Sequence, residues 1–244
     1  MIRARRGMTL IEVLISVSLL SVLAVSVLLT LRVGVNALEK TNTILIANRR
    51  AVSAERILLS QIAGFIPASA DCVVGLDRPP VRVPFFEGRP QSMRFVSSYS
   101  LEEASRGLPR ILEYQVVPGE ENLGVRLIVN ELLYTGPRAT GAACLGLEPV
   151  PELGVQAPRF RPIEPGPRSF VLADKLAFCR FSFRQPRPAP ELERWLPEWR
   201  LPRWPTAIHI ELEQLDPEPT RAPLVSVTAP VRVNKPANEA YTDD

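Results

Sequence analysis

The chain has 244 residues, enough for one or two domains, and an ordinary globular composition except for 25 prolines, roughly twice the ~5% average share. That proline content predicts stiff loops and short strands rather than a helical bundle. The formal charge of +3 comes from Arg3, Arg5 and Arg6 in an acid-free first seven residues; beyond them cations and acids are equal at 26, so no basic surface remains to suggest a nucleic-acid partner.

An apolar run starts at Met8 and continues to Leu31, with Glu12 as its only charged residue. As a helix it is about 36 Å long, enough to cross a hydrocarbon core of ~30 Å with some tilt. Three arginines before the run and only Arg32 close after it predict an inside N-terminus and an outside body. Two simpler readings compete, a secretory signal peptide and a plain signal anchor. A signal peptide has a shorter core ending in a small-x-small cleavage site, and Ala24-Val25-Ser26 is a poor one because apolar residues continue past it. Against a plain anchor stands Glu12. An unpaired carboxylate costs roughly 2.5–3.5 kcal/mol near the bilayer centre, less near a helix N-terminus, and marks a site that looks for a cation.

The stretch Arg6-Gly7-Met8-Thr9-Leu10-Ile11-Glu12-Val13-Leu14-Ile15-Ser16 resembles the type III signal of type IV pilins and type II secretion pseudopilins. The resemblance implies that a prepilin peptidase cuts after Gly7, that Met8 becomes the N-methylated new N-terminus, and that Glu12 is the fifth-position acid of the mature chain. Met8 stands where most members have Phe. Methylation leaves the new terminal ammonium charged, and in a low-dielectric bilayer that ammonium on a neighbouring subunit pairs with Glu12 and sets the register between helices.

Beyond the membrane run the helical pattern extends over residues 37–64. Ile44, Ala47, Ala51, Ala54, Leu58 and Ile62 form an apolar stripe, and Gly64 and Pro67 end the helix. From Pro67 the texture changes to short strands, expected at Met93–Ser97, Arg110–Val117, Val125–Leu133, Phe170–Phe183, Ala207–Leu215 and Leu224–Val233. Residues 136–168 and 185–205 read as proline-rich loops, and 234–244 as a disordered polar tail. The expected class is α+β, a long helix against an antiparallel sheet, which is also the pilin-like architecture. The expected divisions are a leader at 1–7, a transmembrane helix at 8–33, its amphipathic continuation at 34–66, a β-rich periplasmic domain at 67–233, and the tail.

Residues 172–215, with a strand, a Trp-containing loop and a proline before a strand of alternating apolar residues, resemble the C-terminal part of the J-type minor pseudopilin of type II secretion. Ala54-Glu55-Arg56 with Gln61 is loosely similar to the same family, and Glu12 speaks against the K-type subunit. The proline-rich insert before Leu201, the long 136–168 loop and the size of the body depart from it. The resemblance implies a subunit in the inner membrane with a cytoplasmic N-terminus. It would assemble with I-, K- and H-type minor pseudopilins and the major pseudopilin at the tip of the pseudopilus, on an inner-membrane assembly platform. A minor pilin of a type IV pilus is the alternative, and a membrane-anchored periplasmic enzyme or binding domain the competing class.

No catalytic constellation is expected. The single histidine, His209, lies between Ile208 and Ile210 on a strand and faces away from both, and Cys179 reads as a small core residue. Cys72 and Cys144 fall in loop-like sequence and are candidates for one disulfide if the body lies in an oxidising compartment. Glu120, Glu121 and Asn122 form an acidic turn that a solvated hairpin tip explains, so no metal or cofactor is assigned. Trp195, Trp199 and Trp204 read either as a partner-binding patch or as cover for the core and sheet edge.

Overall fold

The computed structural model describes residues 9–75, 79–151, 154–186, 193–215 and 226–232. The leader at 1–7, Met8 and the tail at 234–244 lie outside the described residues. Contacts divide the chain into two compact units, residues 1–48 and 49–244.

In the first unit every described residue from Leu10 to Asn48 belongs to one helix, α1 (Leu10–Ala63), whose last fifteen residues lie in the second unit. No Pro interrupts it, and its apolar side chains from Leu10 to Val35 are exposed. Among the described side chains the first buried one is Ala51. From there Ala51, Ala54, Leu58 and Ile62 are buried at spacings of three and four, which puts them on one face. Ile44 of the expected stripe is half-buried. Full burial of Leu58 and Ile62 contributes roughly 1.5–3 kcal/mol each. The helix stops at Gly64, whose backbone carbonyl accepts from Ser98 N. An added Cβ there would meet Ser97 Oγ at 2.7 Å, so the chain passes close against a strand at this point.

The strands are β1 (Phe65–Ile66), β2 (Ser69–Cys72), β3 (Val81–Pro84), β4 (Glu87–Arg89), β5 (Ser92–Ser100), β6 (Ser105–Pro118), β7 (Val125–Leu133), β8 (Cys144–Val150), β9 (Val155–Phe160), β10 (Phe170–Gln185), β11 (Arg194–Leu196), β12 (Ala207–Gln214) and β13 (Val227–Pro230). A short helix, α2 (Pro137–Gly141), precedes β8. The main sheet is antiparallel throughout, in the order β1-β5-β6-β7-β10-β12-β13, with β4 beside β5 and β11 beside β10. This is the expected α+β, pilin-like arrangement of one long helix on an antiparallel sheet.

Side-chain alternation gives the sheet two different faces. Met93, Phe95, Leu112, Tyr114, Phe181 and Ile210 join Leu58 and Ile62 in the helix-side core. The odd positions of β6 and even positions of β5 point the other way, where Val96 and Ile111 pack with Ala68, Ala70, Cys72, Phe85 and Phe160 in a second core. Two small antiparallel ribbons, β2-β3 and β8-β9, build that outer layer over β5 and β6. On β10, β12 and β13 the outward positions Arg180, Glu211 and Thr228 are exposed.

Two sequence expectations need correction. Residues 136–168 are not one long loop: they hold α2 and the β8-β9 ribbon. Pro149 and Pro158 obscured it, yet both fit because each strand pairs only with the other, and a missing N–H on the free edge costs no ladder bond. Residues 185–205 likewise contain β11, and their second half is core. The strand expected at Leu224–Val233 is described only as Val227–Pro230.

Candidate functional site

Glu12 lies in the first turn of α1, where Glu12 N and Val13 N both donate to Thr9 O at 3.1 and 3.3 Å. The positive end of the helix dipole favours an acid at this place. Downstream, each hydroxyl up to Leu31 is satisfied inside the helix. Ser16 Oγ donates to Glu12 O, Ser18 Oγ to Ile15 O, Ser21 Oγ to Ser18 O, Ser26 Oγ to Val22 O and Thr30 Oγ1 to Ser26 O, all at 2.7–2.8 Å. These bonds hide the hydroxyls from an apolar solvent. The Glu12 carboxylate is thus the one side-chain polar group in residues 10–31 without a partner among the described residues. The helix is long and apolar enough to cross a membrane, and nothing described covers its first half. Gly7 and Met8, the expected cleavage site and new N-terminus, lie outside the described residues.

The body carries the other candidates. Cys72 and Cys144 are joined, with Sγ atoms 1.99 Å and Cα atoms 5.4 Å apart, and the bond ties β2 to the start of β8. Thr140 Oγ1 donates to Ser69 O at 2.7 Å, and Gly141 passes so close to Asp71 O that no side chain fits, so α2 is fastened beside the same strand. Cys179 is a free, buried thiol in the helix-side core, and burial pushes its pKa up to about 12. That is an inert thiol.

The three tryptophans do not act together. Trp199 and Trp204 are 4% and 7% exposed and belong to the helix-side core. Trp199 meets Phe86 and Phe183 edge-on, and its Nε1 donates to Arg203 O at 2.7 Å. Both read as core, which removes them from any partner patch. Trp195 remains 41% exposed and crosses His209 at 5.8 Å between ring centroids. His209 points away from the buried Ile208 and Ile210, and its Nδ1 lies 2.6 Å from Thr228 Oγ1. Glu120 of the acidic turn is engaged by Arg126 at 2.6 Å, and Arg126 also pairs with Asp174 at 2.8 Å.

Sequence reasoning missed Arg94. Strand alternation puts it opposite Met93 and Phe95, a position that reads as solvent-facing. Instead the outer layer covers it. Its side chain is 1% exposed, within 3.2 Å of Glu87 and 3.5 Å of Glu113, and it lies over the Phe160 ring. The only signal in the sequence was a second set of strands, masked by proline.

Residues 2–28 match the family model described as the prokaryotic N-terminal methylation motif. No curated protein matches the chain. The apolar helix and the prepilin motif fit a single-pass membrane anchor. The match covers the segment that holds Gly7, Met8 and Glu12, and it supports a type IV pilin-like family, as a pilin or pseudopilin, for this chain.

Proposed function

We propose that the chain is a minor pseudopilin of a type II secretion system, of the J type, that assembles at the tip of the pseudopilus to initiate or cap the filament. The carrying observation is the Glu12 carboxylate, without a partner among the described residues in a segment whose five hydroxyls are all satisfied within the helix. A lone acid there is accounted for by the ammonium that prepilin peptidase exposes on Met8 of a neighbouring subunit. The J-type reading is supported by residues 172–215, whose long β10, Trp-bearing β11 segment and alternating β12 follow the order that the resemblance implies.

In this reading the chain supplies packing surfaces and a register charge, and no catalysis. The N-terminus is cytoplasmic and the body periplasmic. Its partners are the I-, K- and H-type minor pseudopilins, the major pseudopilin, the peptidase and the inner-membrane platform.

The test is made in native membranes. Gly7→Ala is expected to leave an uncut precursor, visible by intact mass, whereas the normal chain begins at Met8. Glu12→Ala is expected to be cut normally yet to lose at least tenfold of its co-purification with I- and K-type partners. An N-terminus upstream of Met8 in the normal protein, or full partner recovery by Glu12→Ala, overturns the pairing. Recovery of type IV pilus subunits instead of I- and K-type partners moves the chain to a minor pilin.

A further inference from the structure

The outer layer over β5 and β6 is closed by an apolar cluster, a few hydrogen bonds and one covalent bond. Its apolar core is small. Three of its members are Ala68, Ala70 and Cys72, and Phe85 and Phe160 supply its aromatic contact, edge to face at 5.3 Å between centroids. Closing the layer also takes Arg94 out of water. Its Nη2 donates to Arg161 O at 2.6 Å, and its guanidinium stands 5.5 Å from the Phe160 ring centre, so two of its contacts are to the outer ribbon or just beyond it. Its Nη1 is buried with no hydrogen-bond partner among the described residues. Beside it Glu87 is only 13% exposed, and burial raises its carboxyl above the ordinary range despite Arg94 and Arg89. Burying charges in this way gives little net stability and often costs some. What remains are single hydrogen bonds, such as Thr140 Oγ1 to Ser69 O and Asn130 Nδ2 to Glu164 O, and the one covalent tie, the Cys72–Cys144 bond. The third thiol cannot replace either sulfur, because Cys179 belongs to the helix-side core, on the other face of the sheet.

We propose that the Cys72–Cys144 bond is a redox latch that holds the β8-β9 ribbon down over Arg94, and that opening it releases this ribbon while the helix-side core stays folded. The reductant is a dithiol. It gives two electrons and two protons to the bond, which becomes two thiols, and itself closes to a disulfide. The reverse exchange, with a disulfide-bearing oxidant, sets the latch. The outer layer is therefore completed only where such an oxidant reaches the body. The latch stands on the body's own geometry and not on the pilin reading.

Hydrogen exchange on the full chain in detergent micelles tests this, before and after treatment with dithiothreitol, with a count of new thiols to show that the bond has opened. The double variant Cys72→Ser/Cys144→Ser provides a second route, and the treated wild-type chain starts from the folded oxidised state. Amide protection in α2, β8 and β9 is expected to fall at least tenfold in both, with β6, β7 and β12 unchanged. Unchanged protection in β8 and β9 overturns the latch. Equal loss in β6, β7 and β12 overturns it as well, because the bond would then support the whole body.

Discussion

Residues 10–31 and 49–63 belong to the same helix but satisfy their polar groups in opposite ways. In the first stretch each hydroxyl bonds back to a carbonyl three or four residues earlier, and the apolar side chains face outward on all sides. In the second, polar groups reach across to the sheet. Gln61 O accepts from Ser97 Oγ at 2.8 Å, and Gln61 Oε1 accepts from the Tyr114 hydroxyl, while Ala51, Ala54, Leu58 and Ile62 form a single buried stripe. The difference shows what each stretch is built to meet. A helix in hydrocarbon must complete its own hydrogen bonding and gains nothing by sorting its faces, whereas a helix on a sheet is stabilised by one face and can share polar groups with strands. Glu12 stands out because it follows neither pattern.

The largest effect that separates the two stretches is expected from truncating a leucine in each. Leu58→Ala removes a fully buried side chain and is expected to lower the stability of the body by about 2–5 kcal/mol, read from thermal unfolding followed by near-UV circular dichroism. Leu20→Ala, at an exposed position in the first stretch, is expected to shift the same transition by less than about 0.5 kcal/mol. Equal shifts would dissolve the distinction. A smaller effect sharpens it on the polar side. Tyr114→Phe leaves the Gln61 side chain buried with its oxygen unpaired and is expected to cost about 1–3 kcal/mol in the same measurement. The smallest effect tests self-sufficiency. Ser26→Ala removes a hydroxyl that bonds only to Val22 O, and both the membrane fraction and the unfolding transition are expected to stay within about 0.5 kcal/mol of the parent.

Much of the fold was legible because periodicity and chain direction are local. The apolar run, the 3–4 spacing of Ala51, Ala54, Leu58 and Ile62, and the alternation around Ile111 to Val116 and Ile208 to Leu212 all survive as elements. The candidate site was legible for the same reason, since a lone Glu12 in an apolar run needs no tertiary contact to be noticed. Less was visible where proline interrupts pairing. The β8-β9 ribbon and the short β1 to β4 pieces carry too few alternating residues to announce themselves, and Arg94 looked solvent-facing because its cover comes from those hidden strands. Trp195, Trp199 and Trp204 looked alike in sequence, yet two of them fill the core.

By itself the amino-acid sequence determined the membrane-length helix, its break at Gly64, the antiparallel strands and the acid at Glu12, since each follows from side-chain periodicity and from the intrinsic cost of a charge among apolar residues. Only the tertiary structure decided which tryptophans are buried, which part of the sheet is covered on both faces, and that Cys72 meets Cys144 from 72 positions away in the chain. Those outcomes depend on contacts between segments far apart along the chain, and no local pattern encodes which distant surface will come to lie against them.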